Sequence, residues 1–518
     1  MKLVKLSMVA AAICLLATSA YALKTEDRVL KANGQIEYTK TPGSVNSIGE
    51  MFSEGDVYGR IRSNMFWWDW DDELKSGTTQ TRDNNEWGLG GSLVYKTGFY
   101  KGLGATVGVY GTIPMANQNI DPALASAAGM NFGKAGKDTY RTRADGTEES
   151  ILVFAEAYGE YKAGKTDVKV GRQGIDSIML ATNDTKMIPN TFEAAVVENK
   201  DIPNTKVRAG YVMAQKLRDH QEFHSILAYD GTTGLGMFFK VNGNDDSGVH
   251  KGLSIKNIAA VHGDANPEML LLTAENKSIP NLTLNGEYVG ISGFFSTAIA
   301  EANYQIALGD GWTLMPGIRY LRQMDDGAGA IGGASLNGAL GRDKTPNAAA
   351  LASYTNRYSA DGSILMERLV VAKGPLSLMA GYSKVADDAD IIAPWRGFPT
   401  GGYTRDMGQV NWIANTKSWK VKADYDFDKA GLVPGLIGAL SYTDTNFDDK
   451  KMLAKTTDLS DRSMVHVDLI QTFKSLPNTE FKFRFAAVNA DPSTKTSATL
   501  VKDYESYNEY RFEVNYLF

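Results

Sequence analysis

The amino-acid sequence predicts an all-β fold, a transmembrane antiparallel β-barrel, and three observations support this prediction. Apolar and polar residues alternate with a period of two in many segments of about ten residues, as in strands whose two faces meet different surroundings. Short turns and long loops alternate along the chain. After the first 22 residues, no stretch reaches about 18 consecutive apolar residues, so no helical membrane span is predicted there.

The N-terminus has the composition of an export signal. Lys2 and Lys5 precede a short apolar run, and Ala20-Tyr21-Ala22 has small residues at both ends of a cleavage triplet. The alternative is an uncleaved anchor. The chain is expected to divide into a signal peptide (1–22), a periplasmic or lumenal segment (23–50) and a transmembrane barrel (51–518).

Cysteine content and charge exclude several classes of function. Cys14 is the only cysteine and lies in the predicted signal, so the mature chain has no disulfide or thiolate metal site. Loss of Lys2 and Lys5 reduces 54 basic side chains to 52, against 60 acidic ones, which argues against a nucleic-acid partner. No cofactor or metal site is predicted, since Gln221 follows His220 where a zinc-protease motif has an acid.

The C-terminal segment shows the two-residue period most clearly. Aromatic and branched residues share one face: Tyr510, Phe512, Val514, Tyr516 and Phe518. Charged and amide residues share the other: Glu509, Arg511, Glu513 and Asn515. This division suits a lipid-facing exterior and a wet interior. The final Phe518 resembles the signature that the barrel-assembly machinery of bacterial outer membranes reads.

Other segments repeat the pattern. Phe481, Phe483 and Phe485 alternate with Lys482 and Arg484. Further strands are predicted near 60–67, 86–96, 102–111, 151–162, 165–173, 206–213, 268–277, 282–291, 296–308, 311–322, 363–373, 376–386, 419–427, 436–446 and 462–474. Weaker candidates lie near 192–198, 223–229, 251–262 and 407–416.

Chain length sets the size of the barrel. Strands of about ten residues with their connections use roughly 25–30 residues each, so the chain suits about 16–20 strands, and we expect 18. A barrel of this size encloses an aqueous lumen. Short turns are predicted at 163–165, 308–311 and 373–375, and long loops at 113–150, 323–362 and 385–406. An aromatic girdle, rather than a buried core, is expected from Trp67, Trp68, Trp70, Trp87, Trp312, Trp412 and Trp419.

Residues 170–193 carry a resemblance to a known family. The segment contains Gly171-Arg172-Gln173, Asp176-Ser177, Asn183-Asp184, Lys186 and Pro189-Asn190-Thr191-Phe192. In this order and spacing it is similar to the OprD-type outer-membrane porins, although Ile178 stands where that family often has proline and Lys186 where it often has arginine. The chain length and terminal Phe518 also fit the family.

The resemblance implies a loop that folds into the barrel and narrows it. Ile178, Met179, Leu180, Met187 and Ile188 would then pack on the inner wall. The polar residues of this constriction would lie beside or face the water path: Arg172, Asp176, Ser177, Asn183, Asp184 and Lys186. The alternative is an external loop with ordinary turn polarity.

The family also uses a ladder of basic residues on one wall to guide carboxylates. Candidates on inward-facing positions are Arg60, Arg62, Lys206, Arg208, Arg319, Lys420, Lys422, Lys482, Arg484 and Arg511, with Arg172 and Arg368 less certain in face. The alternative is that these side chains pair with carboxylates of the inner wall and only support the barrel.

The expected function is that of an outer-membrane porin, a water-filled channel for passive diffusion of small polar solutes, with selectivity for carboxylates or amino acids. Its expected partners are outer-membrane lipid, lipopolysaccharide, the solutes and the assembly machinery, and its state a monomer or homotrimer. Two alternatives remain open: a barrel enzyme of the lipase or protease type, for which no Gly-x-Ser-x-Gly motif is present, and a secreted adhesin-like β protein.

Overall fold

Eighteen antiparallel strands close into one barrel in the computed structural model, and the last strand is hydrogen-bonded to the first. The predicted strand number and fold class are confirmed. The structure describes residues 27–71, 84–118, 139–142, 148–218, 220–227, 252–253, 255–263, 267–336, 351–393, 402–407, 412–452, 461–491 and 506–518. The predicted signal peptide lies outside these residues.

Each barrel strand pairs with its neighbours in sequence. In chain order they are β1 Asp56–Trp70, β2 Asn84–Lys96, β3 Leu103–Gln118, β4 Ile151–Ala163, β5 Thr166–Gln173, β6 Thr191–Asn199, β7 Thr205–Lys216, β8 Met269–Asn276, β9 Leu282–Ile291, β10 Phe295–Tyr304 (continued by Ile306–Gly309), β11 Trp312–Asp325, β12 Gly362–Lys373, β13 Leu376–Val385, β14 Lys417–Asp426, β15 Leu436–Asn446, β16 Arg462–Phe473, β17 Leu476–Ala490 and β18 Tyr507–Leu517.

Smaller elements decorate the ends of the barrel. The helices are α1 Ile48–Ser53, α2 Ile255–His262, α3 Ala328–Gly332 and α4 Asp449–Met452. Short strand pairs are Arg28–Leu30 with Ile36–Tyr38, Ser44–Val45 with Phe99–Tyr100, and Arg141–Thr142 with Glu148–Glu149. Among the helices of the described ranges, none is long and apolar enough to cross a membrane.

The strands divide their residues between two faces as the period of two predicts. On β14, Trp419 and Val421 are 43% and 46% exposed, whereas Lys420 between them is 6% exposed. On β1, Ile61 is exposed outward, and Arg60 and Arg62 are buried on the inner side. The outer surface is therefore an apolar band, and the charges lie inside.

The two ends of the barrel differ in their connections. Two residues join β4 to β5 and β12 to β13, and Gly164 and Gly374 take positive φ angles of 59° and 57° there, which glycine adopts without steric cost. Long connections lie at the opposite end, between β3 and β4, β11 and β12, and β13 and β14. The predicted alternation of short and long connections is confirmed, although β3 runs on to Gln118, past the expected start of its loop.

Three weak strand candidates are wrong, and the fourth, near 192–198, is β6. Residues 255–262 of the 251–262 candidate form α2, since Ala259 and Ala260 favour a helix. Within 223–229, the described residues form only an isolated bridge to Gln215. Within 407–416, the described residues form turns, with Asn415 at a φ of 60°; residues 408–411 lie outside the description.

The aromatic girdle is confirmed only in part. Trp67, Trp87 and Trp419 are exposed on the outer face. Trp68 is buried inside, where its ring lies 4.7 Å from that of Tyr507, because it shares the inward phase of Arg60 and Arg62. Trp412 is also wrongly assigned, since it packs against buried loop residues, and the side chain of Trp70 lies outside the description.

The outward band gives a test of the strand phase. We expect Val421→Lys, in the middle of β14, to destabilise the barrel in a bilayer by about 2–4 kcal/mol, because a charge there meets hydrocarbon. Denaturant unfolding in lipid vesicles measures this loss. Val421→Leu is the matched control and should unfold like the parent. Equal stability of the two variants would contradict an outward position for residue 421.

Candidate functional site

Residues 174–190, here called the constriction loop, connect β5 to β6 and contact two parts of the inner wall. The first contact is with Glu287 of β9. Its carboxylate accepts hydrogen bonds from the backbone N–H groups of Ile178 and Met179, both at 2.7 Å, and from Ser177 Oγ at 3.0 Å. Glu287 thereby fixes one turn of the loop on β9.

The second contact is with β1 and β18. Asp184 of the loop accepts hydrogen bonds from Arg60 Nη2 and, at 3.0 Å, from Arg62 Nη1. Arg62 Nη2 also donates to Glu513 of β18 at 2.6 Å. Arg60 and Arg62 are 1% exposed. Two guanidinium groups and two carboxylates therefore form a buried group without net charge.

These two contacts place the loop across the bore. β1 and β9 are eight strands apart in one direction around the barrel and ten in the other, so they lie on nearly opposite sides. A single loop that is held by Asp184 on β1 and by residues 177–179 on β9 must span the lumen. The constriction loop is thus positioned to narrow the channel.

Apolar residues of the loop pack on the wall, as expected. Met179 and Leu180 join a buried cluster that includes Phe192 and Val289. Met187 and Ile188 pack with inward-facing residues of β4: Ile151, Val153 and Ala155.

The polar residues of the loop were expected to face the water path, and three of them do not. Asn183, Asp184 and Lys186 are buried because the loop lies flat against the wall on this side. Asp176 is exposed. The prediction for Arg172 is also wrong: on β5 it shares the outward phase of Val170, which is 53% exposed, and it pairs with Glu193 at 2.8 Å.

A second inward segment, residues 402–407 between β13 and β14, has no counterpart in the sequence prediction. Asp406 accepts from Ser441 Oγ at 2.6 Å and from Lys420 Nζ at 2.9 Å, and it also contacts His466. Burial alone would raise the pKa of Asp406, but the Lys420 ammonium and His466 hold this pKa well below its usual range. An ionised Asp406 thus anchors the segment to β14, β15 and β16.

Tyr403 of the same segment lies between two arginines of the wall. Its ring centroid is 5.1 Å from the Arg319 guanidinium and 4.5 Å from that of Arg368. Arg368 also donates to Asn303 Oδ1 at 2.7 Å, and Arg319 pairs with Glu301. Tyr403 therefore holds two cations side by side on β11 and β12.

Arg405 of the segment 402–407 lies near three other arginines, which follow β7 or lie on β17 and β18. It is exposed, and desolvation by the surrounding protein, together with Arg218 and Arg484, lowers its pKa to about 9, so it remains charged at neutral pH. Arg511 also lowers the pKa of Arg405. Arg218, which follows β7, donates to Asn183 Oδ1 at 2.8 Å and to Thr185 Oγ1 at 2.7 Å of the constriction loop. We call these four residues the cation cluster: Arg218, Arg405, Arg484 and Arg511.

The ten predicted ladder residues lie on the inner wall but differ in access to water. Arg60, Arg62, Lys420 and Lys482 are buried, at 8% exposure or less. Lys206 lies on β7 with intermediate exposure. Besides Arg60 and Arg62, which pair with Asp184 and Glu513, six more residues pair with carboxylates: Arg208 with Glu198, Arg319 with Glu301, Lys420 with Asp406, Lys422 with Asp424, Arg484 with Asp468, and Arg511 with Glu509. The pairing that the sequence left open as an alternative is thus present for these eight residues.

Sequence reasoning missed Arg218, Tyr403, Arg405 and Asp406. All four lie in segments outside the strands, where no periodicity indicates which side chains turn inward. Among the described residues, no grouping of His, Cys, Asp and Glu is suited to hold a metal ion.

The family model described as outer membrane porin, OprD family, matches residues 55–518. Similar solved structures include three proteins of Pseudomonas aeruginosa. OpdQ has 17% identity and a TM-score of 0.62, and the superposition covers 91% of this chain and 99% of the OpdQ chain. OpdK with vanillate has 16% identity and a TM-score of 0.61, covering 89% and 98%. OpdF in complex with glucuronate has 14% identity and a TM-score of 0.60, covering 90% and 98%. No curated protein sequence matches.

The buried charge group predicts a large effect of one substitution. We expect Asp184→Asn to lower the free energy of unfolding by about 3–5 kcal/mol, because it leaves two buried guanidinium groups with one carboxylate. Thermal unfolding of the detergent-solubilised barrel measures this loss.

Asp176→Asn provides the control, since it makes the same chemical change at an exposed position of the same loop. It should leave stability within about 0.5 kcal/mol of the parent. If both variants unfold alike, Asp184 does not anchor the loop.

Proposed function

The chain belongs to the outer membrane porin, OprD family, and from this premise we propose that its lumen favours small solutes that carry a carboxylate. The protein is an integral β-barrel of the outer membrane and a channel for small-solute uptake rather than an enzyme. The carboxylate preference, the roles of individual residues and the oligomeric state go beyond family membership.

The physical task of the channel is to spare polar solutes the loss of their hydration. A charged solute that crosses hydrocarbon pays many kcal/mol in desolvation. A lined aqueous lumen avoids this cost, and the flux follows the concentration gradient. The fixed charges at the narrowest part then determine which solutes pass.

The cation cluster is the observation that supports the proposal. Arg405 projects from an inward segment, is exposed, and has the cations Arg218, Arg484 and Arg511 around it. A solute carboxylate near Arg405 would be attracted by its guanidinium group, which can form two parallel hydrogen bonds with a carboxylate. Arg484 and Arg511 add less to this attraction, because they are paired with Asp468 and Glu509.

A second station lies at Arg319 and Arg368, beside Tyr403. The amide oxygen of Asn303, to which Arg368 donates, carries no charge to neutralise that guanidinium. An anion released from one group of arginines can therefore be received by the next. Arg60 and Arg62 are not included in this path, because the constriction loop covers them.

Two similar structures support the same preference. OpdK was solved with vanillate and OpdF with glucuronate, and both compounds carry a carboxylate. Amino acids are a second candidate class, since the exposed carboxylate of Asp176 lies on the constriction loop and suits an ammonium group.

Neutralising Arg405 tests the proposal. One unit charge about 8 Å from a passing anion, at an effective dielectric constant of about 40, changes its energy by about 1 kcal/mol, so Arg405→Gln should reduce the anion-to-cation permeability ratio roughly fivefold at low salt. Reversal potentials in a KCl gradient measure the ratio. Liposome swelling should show slower benzoate entry and unchanged entry of a neutral sugar.

Arg322→Gln is the matched control, because it removes the same charge from an outward position of β11 with a side chain 41% exposed. It should leave the reversal potential unchanged. Equal potentials for Arg405→Gln and Arg322→Gln would refute a carboxylate path through the cation cluster.

A further inference from the structure

We propose that residues 27–45, here called the N-terminal clasp, hold the constriction loop in place from inside the barrel and set the width of the channel. The family match begins at residue 55, so the clasp lies outside the part of the chain that the family accounts for. The inference rests on the chain being a porin and does not depend on the carboxylate preference.

The clasp begins with a hairpin that packs on the inner wall near the end with the short turns. Its strands are Arg28–Leu30 and Ile36–Tyr38. Leu30 is 3% exposed and forms a cluster with Ile36 and with Leu517, an inward-facing residue of β18. The short-turn end faces the periplasm in barrels of this kind, so the hairpin occupies the periplasmic part of the lumen.

Aromatic and charged contacts fix the second strand of the hairpin. The ring of Tyr38 lies 4.2 Å from that of Tyr58 on β1, and Lys96 Nζ of β2 lies 4.8 Å from the Tyr38 ring centroid. Tyr58 Oη also donates to the Lys40 carbonyl at 2.8 Å. Burial against the wall and the nearby Glu156 raise the pKa of Tyr38 far above its usual value, in agreement with a position inside the protein.

The tip of the hairpin forms hydrogen bonds with backbone groups of the constriction loop. The Asp184 N–H donates to the Asn33 carbonyl at 2.6 Å, and Asn33 Nδ2 donates to the Thr182 carbonyl at 3.0 Å. A Cβ atom on Gly34 would lie 2.1 Å from the Asp184 carbonyl oxygen. The two segments therefore touch so closely that only glycine fits at position 34.

One arginine joins all three parts. Arg60 Nη1 donates to the Gly34 carbonyl at 2.7 Å, and Arg60 Nη2 contacts the Asp184 carboxylate. The wall, the clasp and the loop thus share a single buried guanidinium. Displacing the clasp removes one hydrogen bond from this buried cation and two from the loop, which should free the loop to leave its place across the bore.

The decisive variant is Gly34→Ala. Its Cβ collides with the loop backbone, and the φ of +77° at this position disfavours any side chain. Gly43→Ala is the matched control in the same segment, since a Cβ there meets no atom within 4 Å. In planar bilayers with KCl on both sides, Gly34→Ala should show a higher single-channel conductance and more open-channel noise, whereas Gly43→Ala should conduct like the parent.

A cysteine reporter tells whether the clasp has moved. Cys14 is the only native cysteine, so Leu30→Cys adds a thiol that should be protected from a maleimide in the folded barrel. Protection should be lost when Gly34→Ala is combined with the reporter and kept with Gly43→Ala. Heat-modifiable migration selects folded protein, and the chain without the reporter measures background labelling.

Higher conductance together with loss of protection supports the clasp. Loss of protection at unchanged conductance would overturn it, because a displaced clasp would then not affect the channel. Higher conductance with protection retained, or no change in either readout, would also overturn it.

If Gly34→Ala yields no folded barrel, Tyr38→Ala replaces it. This variant removes the contacts with Tyr58 and Lys96 but does not touch the loop. An unchanged conductance with the reporter exposed would again refute the proposal. Since KCl conductance does not measure carboxylate preference, failure here is distinguishable from failure of the proposed selectivity.

Discussion

The geometry of the lumen depends on four charges: the buried Arg60 and Arg62 of β1, the buried Asp184 of the constriction loop and the partly buried Glu513 of β18. Removing an ion from water costs several kcal/mol even in a relaxed protein, so such charges persist only with close partners of opposite sign. The strands contribute two positive charges and one negative charge, and the loop supplies the missing carboxylate. The positive and negative charges of this group are therefore balanced only when the loop lies across the bore.

Apolar packing alone would hold this loop weakly. Ordering a residue costs about 1–2 kcal/mol in backbone entropy, and burying one large apolar side chain returns about 1.5–3 kcal/mol. The loop has 17 residues, of which Met179, Leu180, Met187 and Ile188 are fully buried apolar anchors. The entropy cost of ordering the whole loop therefore exceeds what these four side chains return, so the directional contacts at Glu287 and Asp184 are needed to decide where the loop lies. Their positions on opposite walls explain why it crosses the lumen instead of lying along one side.

The sequence determines the strands far better than it determines the lumen. A two-residue period is local, and it correctly separates Trp419 and Val421 from Lys420 without knowledge of any partner strand. It also assigns Arg60 and Arg62 to the inner face, but it cannot show that a loop more than 110 residues away covers them. The same limit applies to Asp406, whose partners Ser441 and His466 lie on strands that follow it. The weak candidate at 251–262 failed because a short apolar run fits both a strand and the helix that forms there.

Strands and loops contribute different kinds of charge to this channel. On a strand, residues two apart share a face, so an inward cation readily has a carboxylate beside it, as Lys422 has Asp424 and Arg511 has Glu509. Such pairs stiffen the wall and add little net field. Loop cations follow no such period, and Arg405 lies close enough to Arg218, Arg484 and Arg511 for each of these cations to lower its pKa. We therefore expect the inward segments to govern most of the electrostatic field that a solute meets at the constriction.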